Sequence, residues 1–249
     1  MIVPEHILNI LNHMTPITLN EMESVKLMNR FDSKYMFNSQ ALITILNACL
    51  NDYSVVVIEN KNYSTYSTQY YDTKSYELYH QHHSGKLNRY KIRKRSYIES
   101  NLNFLEIKFK NNKGRTTKNR IKLRSNSINE AADFIEKETN IKIDQLIPSV
   151  EIGYNRITLV NKNYPERITI DVNLTLTKDS INRSFPNLII AEVKQDKLAK
   201  SKFVELMNDL RIKEGAVSKY CLGVSNLVNE VKKNNFKENN QRINKLMHT

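Results

Sequence analysis

Basic side chains recur at every second position along three successive segments of the chain. The first carries Arg89, Lys91, Arg93 and Arg95, the second Lys108 and Lys110 behind Glu106, and the third Lys118, Arg120, Lys122 and Arg124. A period of two is the side-chain repeat of a β-strand, so each set shares one strand face. The interleaved Tyr90, Ile92, Leu105, Ile107, Phe109, Ile121 and Leu123 suit a packed opposite face. Like charges facing one another across strands repel, so a face this cationic calls for an anionic occupant. Arginine's planar fork and lysine's mobile point charge both suit phosphate. An ordinary solvated face would mix Thr, Ser, Glu and Gln with its lysines. Nucleic-acid surfaces commonly add exposed aromatics for base stacking. Here Tyr97 and Phe104 fall near strand ends, and no aromatic pair is expected to interleave on the basic face. Small polyphosphates are therefore preferred to nucleic acid as the ligand.

Later segments repeat the alternation with Tyr154 and Arg156, Arg167 and Asp171, and Glu192 and Lys194. Glu192 closes the apolar run 188–193 and reads either as a counter-ion or as a ligand for Mg²⁺ or Mn²⁺. Such ions take one or two carboxylates and complete their shell with water and substrate phosphates. Glu106 and Asp171 share its parity and are secondary metal candidates. His80, His82 and His83 offer no third ligand at a recognisable spacing and are read as surface residues. Cys49 and Cys221 sit singly in apolar runs and are read as reduced, buried thiols. There is no Walker loop and no Ser–His–Asp arrangement, so a nucleotide would be gripped by side chains and not by a backbone nest.

These residues need strands to carry them and helices to cover the strands. Helical pieces are expected over residues 5–29, broken near Pro16, with Thr18 and Glu21 as a capping box. A short strand over 30–37 would place Arg30, Asp32 and Lys34 on one face, and Ser39 would cap a helix to Leu50. Strands are expected at 53–59 and 65–72, a helix over 75–83 stopped by Gly85, then the three basic strands. Ser127 and Glu130 suggest a helix to Thr139. Strands follow at 148–161, 166–178 and 187–195, and helices at 201–212 and 219–231. The tail from Lys232 is rich in Asn and Lys, with a thin apolar stripe, and reads as a frayed or partner-dependent helix. The pattern is α+β: about nine antiparallel strands closing into a barrel with the basic face inside and helices packed outside.

Over 249 residues, 38 Lys and Arg against 26 Asp and Glu leave a formal charge of +12, which favours anionic partners. No apolar run approaches the length of a membrane span, and no signal sequence is visible. A cytoplasmic location is expected, with a single domain over 1–232 (core 30–223) and a basic tail over 233–249.

In the order they occur, Arg30-Phe-Asp-Ser-Lys34-Tyr35, Tyr70-Tyr71-Asp72-Thr73, Lys91-Ile-Arg93-Lys-Arg95-Ser-Tyr97 and Phe104-Leu-Glu106-Ile-Lys108 resemble the VTC domain. That domain is the catalytic core of the vacuolar transporter chaperone polyphosphate polymerase, within the CYTH-like triphosphate tunnel metalloenzymes. Tyr154-Asn-Arg156, Arg167-Ile-Thr-Ile-Asp171, Ala191-Glu192-Val-Lys194 and Ser218-Lys219-Tyr220 continue the resemblance. It implies an antiparallel tunnel and transfer of the γ-phosphate of ATP to a growing inorganic polyphosphate, with Mn²⁺ or Mg²⁺. Lys34, Arg93, Arg95, Lys108, Lys118, Arg156, Arg167 and Lys219 match its phosphate-gripping positions, Glu192 its metal-binding glutamate and Tyr154 a tunnel tyrosine. One departure is Asp32, where relatives often carry Glu. Together with the alternation, the resemblance makes Lys34, Arg93, Arg95, Lys108, Arg156 and Arg167 the candidate catalytic set. Lys91, Lys118, Arg120, Tyr154, Lys194 and Lys219 are the candidate phosphate-binding set. ATP and polyphosphate are the expected partners, with no nucleic acid and no transmembrane segment. Association with a separate membrane protein and the oligomeric state stay open. The rival readings are a triphosphate or polyphosphate hydrolase and a non-catalytic polyphosphate or nucleic-acid binding module.

Overall fold

The computed structural model describes residues 3–24, 31–125, 127–196 and 201–248; Arg30 and the expected helical residues 25–29 lie outside them. Eleven strands form one sheet among the described residues. They are β1 Thr15–Ile17, β2 Phe31–Asn38, β3 Tyr53–Val56, β4 Ser64–Asp72, β5 Arg89–Tyr97, β6 Leu102–Lys110, β7 Thr116–Leu123, β8 Ile147–Asn161, β9 Glu166–Lys178, β10 Ile181–Phe185 and β11 Leu188–Gln195. The main path runs β2-β11-β9-β8-β4-β5-β6-β7, antiparallel at every step. The helices are α1 Glu5–Asn12, α2 Leu19–Ser24, α3 Ser39–Cys49, α4 Glu77–His83, α5 Ala132–Thr139, α6 Lys202–Asp209, α7 Lys219–Leu227 and α8 Lys237–His248.

The sheet curls without closing. Side chains from all eight strands of the path line one cavity, yet β2 and β7, at its two ends, do not pair among the described residues. The expected barrel is corrected to this open sheet, for a physical reason at β2. Its outer edge is already taken: Glu214 bridges to Tyr35, and Gly215 N donates to Lys34 O at 2.9 Å. The β2 edge is thus paired with the 214–215 segment.

Both faces of the sheet are packed. On one face Tyr35, Phe37, Ile157, Leu159, Ile168, Ile170, Ala191 and Val193 meet α1, α3 and α6 through Leu11, Leu42, Ile45, Leu46 and Phe203. A second cluster over β5 and β6 takes Ile92, Leu105 and Ile107 against Leu78 of α4 and Ile135 of α5. On the other face, α7 sits against Ile152, Tyr154, Leu174, Leu176 and Ile190. Gly223 permits this approach, since a Cβ there would come within 2.9 Å of both Ile152 Cδ1 and Val150 Cγ2.

Thr18 and Glu21 form the capping box, with Thr18 N donating to Glu21 Oε2 at 2.6 Å and Glu21 N to Thr18 Oγ1 at 3.3 Å. Ser201 caps α6 by accepting from Val204 N at 3.2 Å. Asn38, and not Ser39, caps α3, accepting from Ala41 N at 3.0 Å; Ser39 donates instead to Asn187 Oδ1 at 3.1 Å. The break at Pro16 is the short strand β1, parallel to β3. The tail is a helix docked on the chain's own core, with Ile243 of α8 1% exposed and Phe236, Leu246 and Met247 packed beside it.

Candidate functional site

The cavity occupies about 1750 Å³. Strand parity delivers its lining: Asp32 and Lys34 from β2, Glu192 and Lys194 from β11, Arg167 and Thr169 from β9, Tyr154 and Arg156 from β8. Tyr66 and Tyr70 come from β4, Lys91, Arg93 and Arg95 from β5, Glu106 and Lys108 from β6, and Lys118 and Arg120 from β7. Thirteen lysines and arginines against six Asp and Glu line it. Every candidate catalytic and phosphate-binding residue named from the sequence reaches this one space. On β7 the lining stops at Arg120, short of Lys122 and Arg124.

The N-terminus of α7 supplies one wall. Ser218 caps the helix by accepting from Cys221 N at 3.3 Å, and its Oγ also accepts from Lys91 Nζ at 2.9 Å. Lys219, the first helical residue, donates to Asp171 and lies over the Tyr154 ring at 4.9 Å. The orphan amides of a helix start add positive potential to the same wall.

Three carboxylates stand among these cations, each held by two of them. Glu106 Oε2 accepts from Arg93 Nε at 2.7 Å and lies 3.6 Å from Arg95 Nη1. Asp171 accepts from Arg156 Nε at 2.6 Å and Nη2 at 2.8 Å, and from Lys219. Glu192 lies 3.1 Å from Lys194 Nζ and 3.5 Å from Lys34 Nζ. Burial alone would raise these carboxyls, but the guanidinium and ammonium neighbours prevail. They hold Glu106 and Asp171 at about 2 and Glu192 well below the usual carboxylate range, so all three are anionic at neutral pH. The lysines show the opposite strain. Burial pushes Lys91 and Lys194 down to about 8. It pushes Lys108 well below its ordinary value, and the Arg93 charge adds to the effect.

Side-chain exposure separates the three metal candidates: 4% for Asp171, 11% for Glu106 and 24% for Glu192. Asp171 and Glu106 are walled in by their arginines and act as counter-ions in this geometry. Glu192 opens onto the cavity. Directly opposite it in register is Thr169, whose Oγ1 is buried without a hydrogen-bond partner. One open carboxylate beside an unsatisfied hydroxyl fits a magnesium- or manganese-like ion that takes the rest of its shell from water and substrate. Among the described residues no cluster of three His, Cys, Asp or Glu could hold a metal without such help.

Sequence reasoning missed the aromatic part of the site, and the expectation of no aromatic pair on the basic face is corrected. Tyr66 and Tyr154 are stacked at 5.1 Å with planes 5° apart. Arg156 lies over both rings, at 5.2 Å and 5.3 Å, and Arg95 lies over Tyr66 at 5.5 Å. The period-two rule puts Tyr66 and Tyr70 on one face of β4, but nothing local says that β4 sits between β5 and β8. Two histidines expected at the surface are also inside. His83 is buried. His82 lines the cavity, its Nδ1 accepting from Arg89 Nε at 3.0 Å and its Nε2 donating to Tyr90 O at 3.2 Å. Burial first, then Lys91 and Arg89, hold that imidazole neutral, at about 3.

A family model described as the VTC domain matches residues 29–228. The chain belongs to the VTC domain family. That span takes in the sheet from β2 onward, most of the cavity lining and α7. No curated protein matches the sequence. A solved structure from Bacillus halodurans, described as a candidate adenylate cyclase, superposes with a TM-score of 0.52. It is 12% identical, and the match covers 81% of this chain and 98% of that one. A Vibrio parahaemolyticus structure with a similar description gives a TM-score of 0.46 at 15% identity, covering 78% of this chain and 99% of that one. A Hippeastrum adenylyl cyclase candidate, described as having a dominant triphosphatase activity, gives 0.48 at 10% identity, covering 80% and 98%. At these identities the likeness is one of fold, and the Bacillus halodurans structure carries it: an antiparallel sheet with helices packed on it. None of this chain's described helices is long and apolar enough to cross a membrane.

Proposed function

We propose that this VTC domain is an ATP-dependent polyphosphate polymerase, transferring the γ-phosphate of ATP to the end of a growing inorganic polyphosphate chain. The observation that carries the reading is the convergence of inward-facing cations from seven of the eight strands on one cavity, in which Glu106 and Glu192 are ion-paired and anionic. Phosphoryl transfer asks mainly for positioning and charge neutralisation. Arg93, Arg95, Lys108, Arg156, Arg167 and Lys34 would grip the phosphates to be transferred. Lys91, Lys118, Arg120, Lys194 and Lys219 would extend the grip along the chain, with Tyr154 beneath Arg156. Glu192 would hold a divalent cation, Mn²⁺ or Mg²⁺, which would supply neutralisation of the phosphates' negative charge. A terminal phosphate acceptor arrives already anionic and needs no general base. This suits a site whose Glu106, Asp171 and Glu192 are committed to cations and whose His82 is tied to Arg89 and Tyr90.

Hydrolysis, with water as acceptor, is the competing reading, and a binder without turnover is the third. Incubating the protein with ATP and Mn²⁺ and separating polymer from free phosphate tells them apart. The expected result is polymer, and its loss in Glu192→Gln while tripolyphosphate still binds. Free phosphate alone would make the chain a hydrolase, and no turnover would make it a binder. Wild-type turnover by Glu192→Gln at limiting Mn²⁺ would reduce Glu192 to a counter-ion.

A further inference from the structure

The cavity-facing side of the sheet changes chemistry along its strands. On β5 it runs Lys91, Arg93, Arg95 and then Tyr97; on β6 it runs Lys108, Glu106 and then Phe104. Across β5, β4 and β8 the rings stand level, because Tyr66 is the direct partner of both Tyr97 on β5 and Tyr154 on β8, while Phe104 on β6 stands one step nearer the phosphate grip, opposite Arg95. The rings form a continuous row. Tyr66 and Tyr97 are 5.0 Å apart and tilted by 56°, and Tyr97 meets Phe104 edge-on at 5.7 Å. Arg120, exposed on β7, lays its guanidinium over the Phe104 ring at 4.8 Å.

Two of these rings have an evident job within the phosphate grip: Tyr66 and Tyr154 support Arg156, and Tyr66 supports Arg95. Tyr97 lies further along, at the end of β5, and Phe104 lies beside it, opposite Arg95. Inorganic polyphosphate is anionic throughout and gives a ring nothing to stack on. A ligand with phosphates at one end and a flat aromatic group at the other matches the order of side chains. We propose that Tyr97, Phe104 and the Arg120 plane form a stacking subsite for the base of a nucleoside triphosphate whose phosphates lie on Arg95 and Arg93. This rests on the nucleotide-donor reading above and adds to it a recognition of the nucleoside. Stacking on rings and guanidinium planes tolerates every base, so the subsite separates nucleotides from inorganic triphosphate and does not select adenine.

Titration calorimetry with ATP and with tripolyphosphate, on wild type, Phe104→Leu and Tyr97→Leu, tests the subsite. Leucine keeps apolar bulk and removes the ring. ATP binding is expected to weaken about fivefold or more in each variant, the effect of losing about 1 kcal/mol of base stacking, with tripolyphosphate binding unchanged. Equal weakening of both ligands would mean that the rings only pack β5 on β6. Unchanged ATP binding would mean that the base lies elsewhere. Either result overturns the subsite while leaving ATP as donor. A wild-type protein that binds tripolyphosphate but no nucleotide would sink the donor reading itself. Because the chain has no tryptophan, its tyrosine fluorescence gives an independent measurement. ATP should quench it and tripolyphosphate should not; equal quenching by both counts against the subsite.

Discussion

Arg93 and Arg95 stand two residues apart on one strand face, yet their surroundings differ. Arg93 is buried, donates to Glu106 through its Nε and to Tyr70 OH at 3.2 Å through Nη1. Arg95 lies over Tyr66, and its Nε is buried without a hydrogen-bond partner, so a donor is held ready for a ligand oxygen. Arg93→Ala leaves Glu106 without its closest counter-charge, and should destabilise the fold by about 3–5 kcal/mol in urea titrations. Arg95→Ala should be milder on stability but weaken tripolyphosphate binding by about tenfold or more, the value of a charge-assisted hydrogen bond in a restricted site. The lysines add a pH dependence of definite sign. Lys91 and Lys194 have folded values of about 8 against 10.5 for the free side chain. Between those pH values the unfolded chain binds more protons than the folded one, so their contribution to stability rises with pH across that window. Below pH 8 the penalty for keeping them charged is fully present. Phosphate affinity runs the other way. Long polyphosphate, anionic along its length, should bind less tightly at pH 9 than at pH 7, and calorimetry at the two values checks this.

Helices α7 and α8 decide how much of the concave face is left for a ligand. The apolar residues of α7 fill the space over β8 and β9, and its first turn turns Ser218 and Lys219 toward the phosphate grip. Helix α8 is fastened beside it: Arg242 Nη2 donates to Met36 O at 3.2 Å and to Lys213 O at 2.8 Å, and Asn239 donates to Ala216 O at 3.0 Å. A docked helix and a frayed one predict different numbers. Ile243→Ala should cost about 2–5 kcal/mol, as for other large-to-small changes at fully buried sites. A shift near zero in the denaturation midpoint would restore the frayed tail.

Charge is spent unevenly over the molecule. The cavity lining holds an excess of seven cations out of a net +12 for the whole chain, and it gathers them in one concave space, where partly buried charges are screened less than those spread over the surface. Basic residues away from the cavity should add only screened attraction. Neutralising the tail residues Lys232 and Lys233 together should change polyphosphate binding only slightly at physiological salt, in contrast to Arg95→Ala. Equal losses in the two variants would mean a diffuse basic surface in place of a focused site.

What the sequence determined by itself is the part governed by local period and residue chemistry. Two-residue spacing settled that Lys91, Arg93 and Arg95 share a face, that Glu106 and Lys108 share one and Lys118 and Arg120 another, and that an anion is wanted there; backbone geometry permits nothing else in a strand. The ordered short motifs carried the family as well. Tertiary structure alone decided the rest, because it depends on which strands become neighbours. Placing β4 between β5 and β8 brought Tyr66 under Arg95 and Arg156. Seating the 214–215 segment on the β2 edge kept the sheet open. The same packing buried Asp171 behind two cations and left Glu192 facing the cavity, a distinction that parity, which treats the two carboxylates alike, has no means to make.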